Sequence, residues 1–353
     1  MIKIIIDPRF KINYASYYIY GIKELVGYGK LSFRPIAGIN IETDRECRIG
    51  FALKVITDDS EKKIYIDYGD WNMVYEKYYK WADVYAKINV RKDDLTLKKL
   101  LVIGPSFGIK LWNPIKCFFQ GFKNYLLIKR SDNNFERPFS QYIKDYGYMF
   151  LRRRDFKYYF RFTQEEEKGY FFSFNTLWYG DLSHNTTNKL RGEFMRECQK
   201  LMETFDGGFY YIDSQVVLDE FPKYVLYLKE YEDLIAKRRL SMDEYDKRTR
   251  KSWFVFNTPS VGGCHGWKLA EFLCEGKAII STAFHNEMPK DFIDGVHYLK
   301  VETREEMAEA IIKLREDEFL LNQLKQNAFQ YFNDNLMPII VIQRIFNRIG
   351  LQI

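Results

Sequence analysis

The sequence lacks the marks of membrane-spanning, secreted and metal-binding proteins. Its most apolar runs, residues 100–103 and 278–280, have strand length, far below the roughly 18 to 20 residues that span a bilayer. The short apolar run at the start meets Asp7 and Pro8, which is typical of a first strand and not of a signal peptide. The five cysteines include no CxxC pair, so we expect neither a disulfide framework nor a zinc site. These absences favour a cytoplasmic protein.

The chain also carries only a small excess of charge of one sign. The 54 Lys and Arg residues against 48 Asp and Glu residues give a formal net charge of +6 in 353 residues, which is less than a dedicated nucleic-acid-binding protein usually carries. The balance suits an enzyme whose substrates carry phosphate, or one that works beside an anionic membrane. No Asp-x-Asp metal motif lies in a suitable loop, so we expect chemistry that needs no metal.

Aromatic residues are abundant, with 27 Tyr and 29 Phe. Aromatic faces suit sugar rings, but buried cores and interfaces use the same residues. We expect most of them to be core or interface residues.

Strands alternate with helices along the chain, which predicts α/β architecture with mostly parallel sheets. In the first half, the predicted strands are residues 2–6, 63–67 and 98–103, and the predicted helices are 14–26 and 71–86. The pattern breaks between residues 140 and 168 and then resumes. We therefore predict an N-terminal α/β domain over residues 1–150, a second α/β domain over 151–335 and a terminal helix over 336–353.

The most informative segment lies in the second half. A strand at residues 253–257 leads into a glycine-containing loop, then a helix over 267–274 and a strand over 277–281. A helix N-terminus has unpaired N–H groups and a positive dipole end, which favour an anion such as a diphosphate. Glu271 lies about one turn into this helix, where its carboxylate could accept hydrogen bonds from two ribose hydroxyls.

Residues 268–280, read as KLAEFLxxGKAII, resemble the nucleotide-sugar-binding motif of group 1 glycosyltransferases with the GT-B fold, from bacterial polysaccharide clusters. The resemblance extends over roughly residues 250–340. It implies two Rossmann-like domains with parallel sheets facing a cleft, and a C-terminal helix that packs back on the N-terminal domain. It further implies that Glu271 binds the donor ribose, that the loop and helix start face the diphosphate, and that Lys268 adds positive charge there. The donor-site residues implied are Gly262, Gly263, Cys264, His265, Gly266, Lys268 and Glu271.

The sequence departs from the family at one position. Many retaining members have a second Glu eight residues before the ribose-binding one, and this chain has Gly263 there. A retaining reaction therefore does not follow from the resemblance. The donor itself is a substrate, and no further cofactor is expected.

A catalytic base for an inverting reaction should come from a strand-end loop of the first domain. Asp7 and Asp67 are the first and second candidates, and Asp70 and Ser106 occupy similar loops. Turn and N-cap roles are the structural alternative for these residues.

Two further segments carry candidates for binding. In the loop around His184, related enzymes place phosphate-contacting residues, and Lys189 and Arg191 follow it closely. Residues 110–129 mix aromatic and basic side chains, as a membrane-surface or lipid-linked-acceptor patch would. A core helix with a basic outer face is the alternative.

The resemblance implies sugar transfer from a nucleotide-sugar donor to a carbohydrate or lipid-linked acceptor in capsule, exopolysaccharide or lipopolysaccharide synthesis. The charge balance and residues 110–129 leave contact with the inner face of the membrane as an option. A nucleotide-sugar 2-epimerase shares the fold and needs no acceptor. A catalytically silent sugar-nucleotide binder and a nucleic-acid-binding protein are the alternatives that are not enzymes.

Overall fold

The computed structural model describes residues 2–41, 43–132, 134–162 and 165–352. The chain forms two compact α/β units, as predicted. Unit 1 comprises Met1–Phe160, Asn286–Lys290 and Asn333–Ile353, and unit 2 comprises Arg161–His285 and Asp291–Phe332. The two units thus divide after Phe160, whereas the sequence-based boundary lies at residue 150.

In the described part of unit 1, six strands form one sheet in the order β2-β1-β3-β4-β5-β6. The strands are β1 (Lys3–Ile6), β2 (Leu31–Phe33), β3 (Gly50–Ile56), β4 (Glu61–Asp67), β5 (Val84–Lys87) and β6 (Leu100–Val102). All neighbours are parallel except at β3, which runs antiparallel to both β1 and β4. The sequence analysis missed β3, which pairs with β4 as a hairpin closed by a hydrogen bond from the Thr57 N–H to the Ser60 carbonyl at 2.8 Å.

The helices of this unit lie between and after the strands. They are α1 (Ile12–Val26), α2 (Asp44–Cys47), α3 (Glu76–Trp81), α4 (Pro114–Ser131), α5 (Phe139–Arg152) and α6 (Phe156–Tyr159). The predicted helix over 71–86 is confirmed only in its middle, where α3 lies, and its last part is wrong because residues 84–86 belong to the buried strand β5. Asp70, expected to cap that helix, lies in an exposed bend before α3.

Most of the largest fully buried side chains in unit 1 are tyrosines, in agreement with the expected core role of the aromatic residues. Several of their hydroxyl groups find acceptors, which stabilises a buried tyrosine. Tyr142 donates to the Pro8 carbonyl at 2.8 Å, and Tyr18 donates to the Ser106 Oγ at 3.1 Å.

Unit 2 contains two parallel sheets. They comprise β7 (Tyr170–Thr176) with β8 (Thr204–Tyr210), and β9 (Val255–Asn257), β10 (Ile279–Ser281) and β11 (Leu299–Lys300) in the order β11-β10-β9. The Ser252 hydroxyl joins β7 to β9, because it accepts from the Phe172 N–H at 2.8 Å and donates to the Phe254 carbonyl at 2.7 Å. The beginnings of β7 and β9 are thereby held side by side.

The helices that cover these sheets begin after β7. They are α7 (Asp181–Ser183), α8 (Lys189–Leu201), α9 (Gln215–Glu220), α10 (Tyr224–Glu230), α11 (Met242–Lys251), α12 (Trp267–Glu275), α13 (Arg304–Glu316) and α14 (Glu318–Asn335). A π-helical turn, His184–Asn188, precedes α8. Residues 230–237 contain only the end of α10 and a 3-10 turn, Glu232–Leu234.

The last helix, α15 (Pro338–Arg348), begins with Pro338 in its first turn and packs on α1 of unit 1. Gly21 makes this packing possible, since a Cβ there would lie 2.2 Å from the Pro338 carbonyl oxygen. The apolar side of α15 buries Val341, Ile342 and Ile345. The predicted return of the C-terminal helix to the N-terminal domain is confirmed.

Candidate functional site

A cavity of about 150 Å³ opens in unit 2 where the parallel strands β7 and β9 end. Ligands in α/β proteins gather at such carboxyl ends of strands. The end of β7 and its loop contribute Asn175, Thr176 and Trp178, and the end of β9 and its loop contribute Phe256, Asn257, Thr258 and Ser260. The remaining lining residues are Arg191 from α8 and, at the start of α12, Gly266, Trp267 and Lys268.

The loop between β9 and α12 is closed by its own hydrogen bonds. The Ser260 N–H donates to the Cys264 carbonyl at 2.9 Å, and the Gly263 N–H donates to the Ser260 carbonyl at 3.0 Å. Gly262 and Gly263 have φ values of +67° and +78°, in the left-handed region that favours glycine. These two glycines therefore set the path of the loop, while Gly266 lines the cavity.

Helix α12 starts at the cavity with a glycine in the N-cap position. Because Gly266 has no side chain, it supplies no acceptor to the first N–H groups of the helix. The N-terminus of a helix carries about half a positive charge. This arrangement suits an anion that accepts hydrogen bonds from the backbone.

Lys268 stands in the first turn of α12 and is held by the end of β7. Its Nζ donates to the Phe174 carbonyl at 2.5 Å and to the Asn175 Oδ1 at 2.9 Å. Burial and the positive charge of Arg191 lower the pKa of Lys268 to about 7, while the carboxylate of Glu271 acts in the opposite direction.

Arg191 is the second cation of the cavity. Its Nε donates to the Thr258 Oγ1 at 3.0 Å, and burial lowers its pKa to about 10. In the part of the chain that the structure describes, neither Arg191 nor Lys268 forms an ion pair with a carboxylate. Two half-buried cations thus line one cavity without an ion pair to a carboxylate in the described residues.

Glu271 is half-buried and lies three residues after Lys268, on the same side of α12. Its carboxylate is close enough to affect the pKa of Lys268. Glu271 does not itself line the described cavity, so its contact with a donor ribose stays a prediction.

The presence of Gly263, where many retaining enzymes of the resembled family have a second Glu, has a steric basis. A Cβ at this position would lie 3.2 Å from the His285 Cδ2, and the positive φ adds strain for any other residue. A glutamate could not take this place without a change in the loop. The neighbouring His265 and Cys264 are buried, and the His265 ring packs 5.7 Å from that of Phe284. Neither residue lines the described cavity.

The first candidate base, Asp7, is fully buried in unit 1. Arg9 donates from Nε to the Asp7 Oδ1 at 3.0 Å and from Nη2 to Oδ2 at 2.8 Å. The N–H groups of Ile36 and Arg9 also donate to this carboxylate. These bonds occupy both oxygens of Asp7 and give the residue a structural role, and a catalytic role stays a prediction.

The second candidate, Asp67, is also fully buried. Tyr85 and Lys87 donate to its Oδ2 at 2.5 and 2.7 Å, and the Gly69 N–H donates to Oδ1 at 2.9 Å. Burial raises the pKa of Asp67, and the positive charge of Lys87 opposes the shift. Here too the contacts are those of a structural residue, and the catalytic role stays a prediction.

His184 lies away from the described cavity lining. Its ring stacks on Tyr227 with centroids 3.5 Å apart, and its Nε2 lies 3.2 Å from the Glu230 Oε2. Lys189 is exposed. Of the three phosphate-contact candidates in this region, only Arg191 lines the cavity.

The sequence analysis missed the polar residues of the strand ends, Asn175, Asn257 and Thr258. Asn175 positions Lys268, and Asn257 donates to the Ser281 Oγ at 2.9 Å. The signal that could have found them is their place, since each lies at or directly after the end of a predicted parallel strand.

The described residues contain neither a candidate metal cluster nor a candidate membrane-spanning helix. No group of three His, Cys, Asp or Glu residues within them is arranged to hold a metal ion. No helix among these residues combines the length and the apolar character needed to cross a membrane.

Comparison with family models and with curated proteins finds no match. Among solved structures, the chain is similar to the C-terminal domain of a group 1 family glycosyl transferase from Francisella tularensis, with 14% identity, a TM-score of 0.34, and coverage of 51% of this chain and 96% of that domain. It is similar to a glycosyltransferase from Rickettsia africae, with 10% identity, a TM-score of 0.43, and coverage of 82% and 71%. It is also similar to the Anabaena protein HepE in complex with UDP-glucose, with 12% identity, a TM-score of 0.39, and coverage of 76% and 64%. These values are low, so the case for a function rests on the cavity and on the sequence motif.

Proposed function

We propose that this chain is a glycosyltransferase that binds the diphosphate of a nucleotide-sugar donor in the cavity of unit 2. The observation that carries the proposal is the pair of half-buried cations, Lys268 and Arg191, beside the glycine-capped start of α12. Burying two like charges together costs free energy, because each disfavours the charged form of the other. A bound diphosphate would offset that cost.

In this proposal, the lysine and guanidinium groups and the first N–H groups of α12 donate to the diphosphate oxygens. They stabilise the negative charge that develops on the diphosphate as the bond to the sugar breaks, without the help of a metal ion. The indoles of Trp178 and Trp267 line the same cavity and offer apolar surface to the base or the sugar. Glu271 is assigned to the ribose hydroxyls.

The reaction exchanges one bond of the sugar for another. The bond between the anomeric carbon and the diphosphate breaks, a bond to an acceptor hydroxyl oxygen forms, and the hydroxyl proton leaves. We assign the acceptor to carbohydrates or lipid-linked carbohydrates of bacterial surface polysaccharide synthesis, in the cytoplasm, as the sequence motif implies.

The first experiment measures stabilisation by nucleotides. UDP, GDP, CMP, dTDP and ADP are added separately to the wild type, Lys268→Met and Glu271→Ala, and thermal unfolding is followed. A ligand at 100 times its dissociation constant adds about 2.7 kcal/mol of stability. We expect one nucleotide to stabilise the wild type and both variants to lose most of the response.

Lys189→Met is the matched control, since this lysine is exposed on the same helix as Arg191 and does not line the cavity. It should respond like the wild type. The proposal fails if no nucleotide stabilises the wild type, or if Lys268→Met responds as strongly as Lys189→Met.

A second measurement tests transfer itself. The sugar nucleotide that matches the stabilising base is incubated with the protein, with and without an acceptor, and the products are separated. A transferase gives a glycosylated acceptor, whereas a 2-epimerase converts the donor sugar in the absence of any acceptor.

A further inference from the structure

Helix α4 of unit 1 buries only a narrow stripe. Cys117, Gly121, Asn124 and Ile128 are its buried residues, spaced four, three and four apart, and α4 packs against α5 along its length. This spacing places all four residues on one side of the helix. The remaining circumference of α4 is open for other contacts.

The opposite side of α4 exposes large apolar side chains. We call these side chains, together with Phe139 at the start of α5, the aromatic face. Exposed fractions reach 70% at Ile115 and 64% at Phe119. The rings of Phe118 and Phe122 lie 6.4 Å apart, and Phe139 lies 6.1 Å from Phe122. The aromatic face comprises Ile115, Phe118, Phe119, Phe122, Leu126 and Phe139.

A row of cations borders the aromatic face. Lys116, Lys123 and Arg130 are seven residues apart, which aligns them along one edge of the helix. Between Pro114 and Ser131 the sequence contains no acidic residue. The edge therefore carries positive charge that no residue of the same helix neutralises.

A cavity of about 700 Å³ lies beside this edge. Arg34, Lys123 and Arg130 line it, and no acidic residue is found among the described residues of its lining. The acid that follows α4, Asp132, is bonded to Arg9 at 2.9 Å. The cavity is thus a basic pocket whose wall is shared with α4.

We propose that α4 docks on an anionic lipid bilayer, with a headgroup phosphate in the basic pocket and the aromatic face in the acyl boundary. Charge complementarity selects this occupant, because cations beside apolar side chains on one helix match anionic headgroups above acyl chains. A second copy fits poorly, since a symmetric contact through this face would bring like charges together. This proposal follows the membrane-surface interpretation of residues 110–129, and the exposed apolar side chains of α4 support it.

The test is sedimentation of the full chain with vesicles of phosphatidylcholine, with or without phosphatidylglycerol. We expect the wild type to bind the anionic vesicles more strongly than the neutral ones, and less strongly at high salt. Phe118→Ser with Phe119→Ser, and separately Lys123→Glu with Arg130→Glu, should each weaken that binding about tenfold or more.

Phe319→Ser is the matched control, because Phe319 is 80% exposed on α14 and lies outside the aromatic face. Inorganic phosphate as a competitor distinguishes a free-phosphate pocket from a bilayer site, since it should not release the protein from vesicles. The inference is overturned if the wild type binds neither vesicle, if phosphate displaces it, or if the face variants bind as the control does. It is also overturned if the wild type is a dimer that the phenylalanine variant dissociates.

The inference does not depend on sugar transfer. Vesicle binding needs no donor, and the face variants should keep the nucleotide stabilisation of the wild type. Failure of one proposal therefore leaves the other standing.

Discussion

Both units hold charged groups near strand ends, fully or almost fully buried in unit 1 and half-buried in unit 2, but they pair them differently. In unit 1, Asp7 is bonded to Arg9 and Asp67 to Lys87, so each buried carboxylate has a cation in contact. In unit 2, Lys268 and Arg191 have the same sign, and their described bonds go to uncharged oxygens.

This difference separates charged residues that stabilise the fold from charged residues that can bind a ligand. In a buried ion pair the two opposite charges neutralise each other within the fold, so no ligand is needed to compensate them. Two half-buried cations at a cavity leave positive charge that a ligand can match. The pKa directions agree, because Lys87 opposes the rise at Asp67, whereas Arg191 adds to the fall at Lys268. The signs of the partners, and not burial alone, identify the candidate site.

The largest expected effect is on the unit 1 side of the comparison. Asp7→Ala removes the fully buried partner of Arg9 and leaves this arginine with Asp132 as its remaining carboxylate. Removing one partner of a buried ion pair costs up to about 3 to 5 kcal/mol of unfolding free energy. Urea unfolding of the full chain measures this loss. Asp70→Ala, at an exposed position in another strand-end loop, should cost far less.

The opposite result would restore the first sequence-based interpretation of this residue. If Asp7→Ala keeps its unfolding free energy but transfers no sugar, the carboxylate is a catalytic base. The comparison between the two units would then no longer hold.

The next effect is on the unit 2 side. Lys268→Met removes a charged donor from the cavity, and a hydrogen bond to a charged group contributes about 1.5 to 3 kcal/mol. We expect nucleotide affinity to fall about tenfold to a hundredfold in titration calorimetry. Unfolding free energy without ligand should not fall, because burial already disfavours the lysine charge. A large loss of stability with unchanged affinity would make Lys268 a structural residue.

The local features of this site could be predicted from the sequence. The start and end of α12 follow from apolar spacing and from Gly276, which takes the left-handed conformation at the C-cap. The glycine loop and Lys268 are part of the same continuous segment. These features depend on residues a few positions apart, so a single sequence contains them.

The missed features depend on distant residues. Asn175 and Arg191 reach the cavity from β7 and α8, and no local pattern says which strand end will face which helix. Similarly, the strand β5 was read as part of a helix, because all four of its residues are buried and it lacks strand-like alternation. Even its last residue, Lys87, is buried, and its partner Asp67 belongs to another strand.

The smallest expected effect is the pH dependence of nucleotide affinity. With a pKa of about 7 in the free protein, Lys268 loses its proton as the pH rises above that value. A bound diphosphate favours the charged form, so binding must be accompanied by proton uptake at higher pH. Between about pH 7.5 and pH 9, where a phosphate with a second pKa of about 6 keeps its charge, we expect the dissociation constant to rise about tenfold.

Titration calorimetry across this range, with Lys268→Met and Lys268→Arg as controls, isolates the lysine. The methionine variant should bind weakly at every pH, and the arginine variant should bind without a pH trend, because a guanidinium keeps its proton throughout. A pH trend that persists in the methionine variant would assign the titration to another group. If the dissociation constant of the wild type does not change with pH, Lys268 stays charged without a ligand. The two cations would then lose their value as evidence for an anion site.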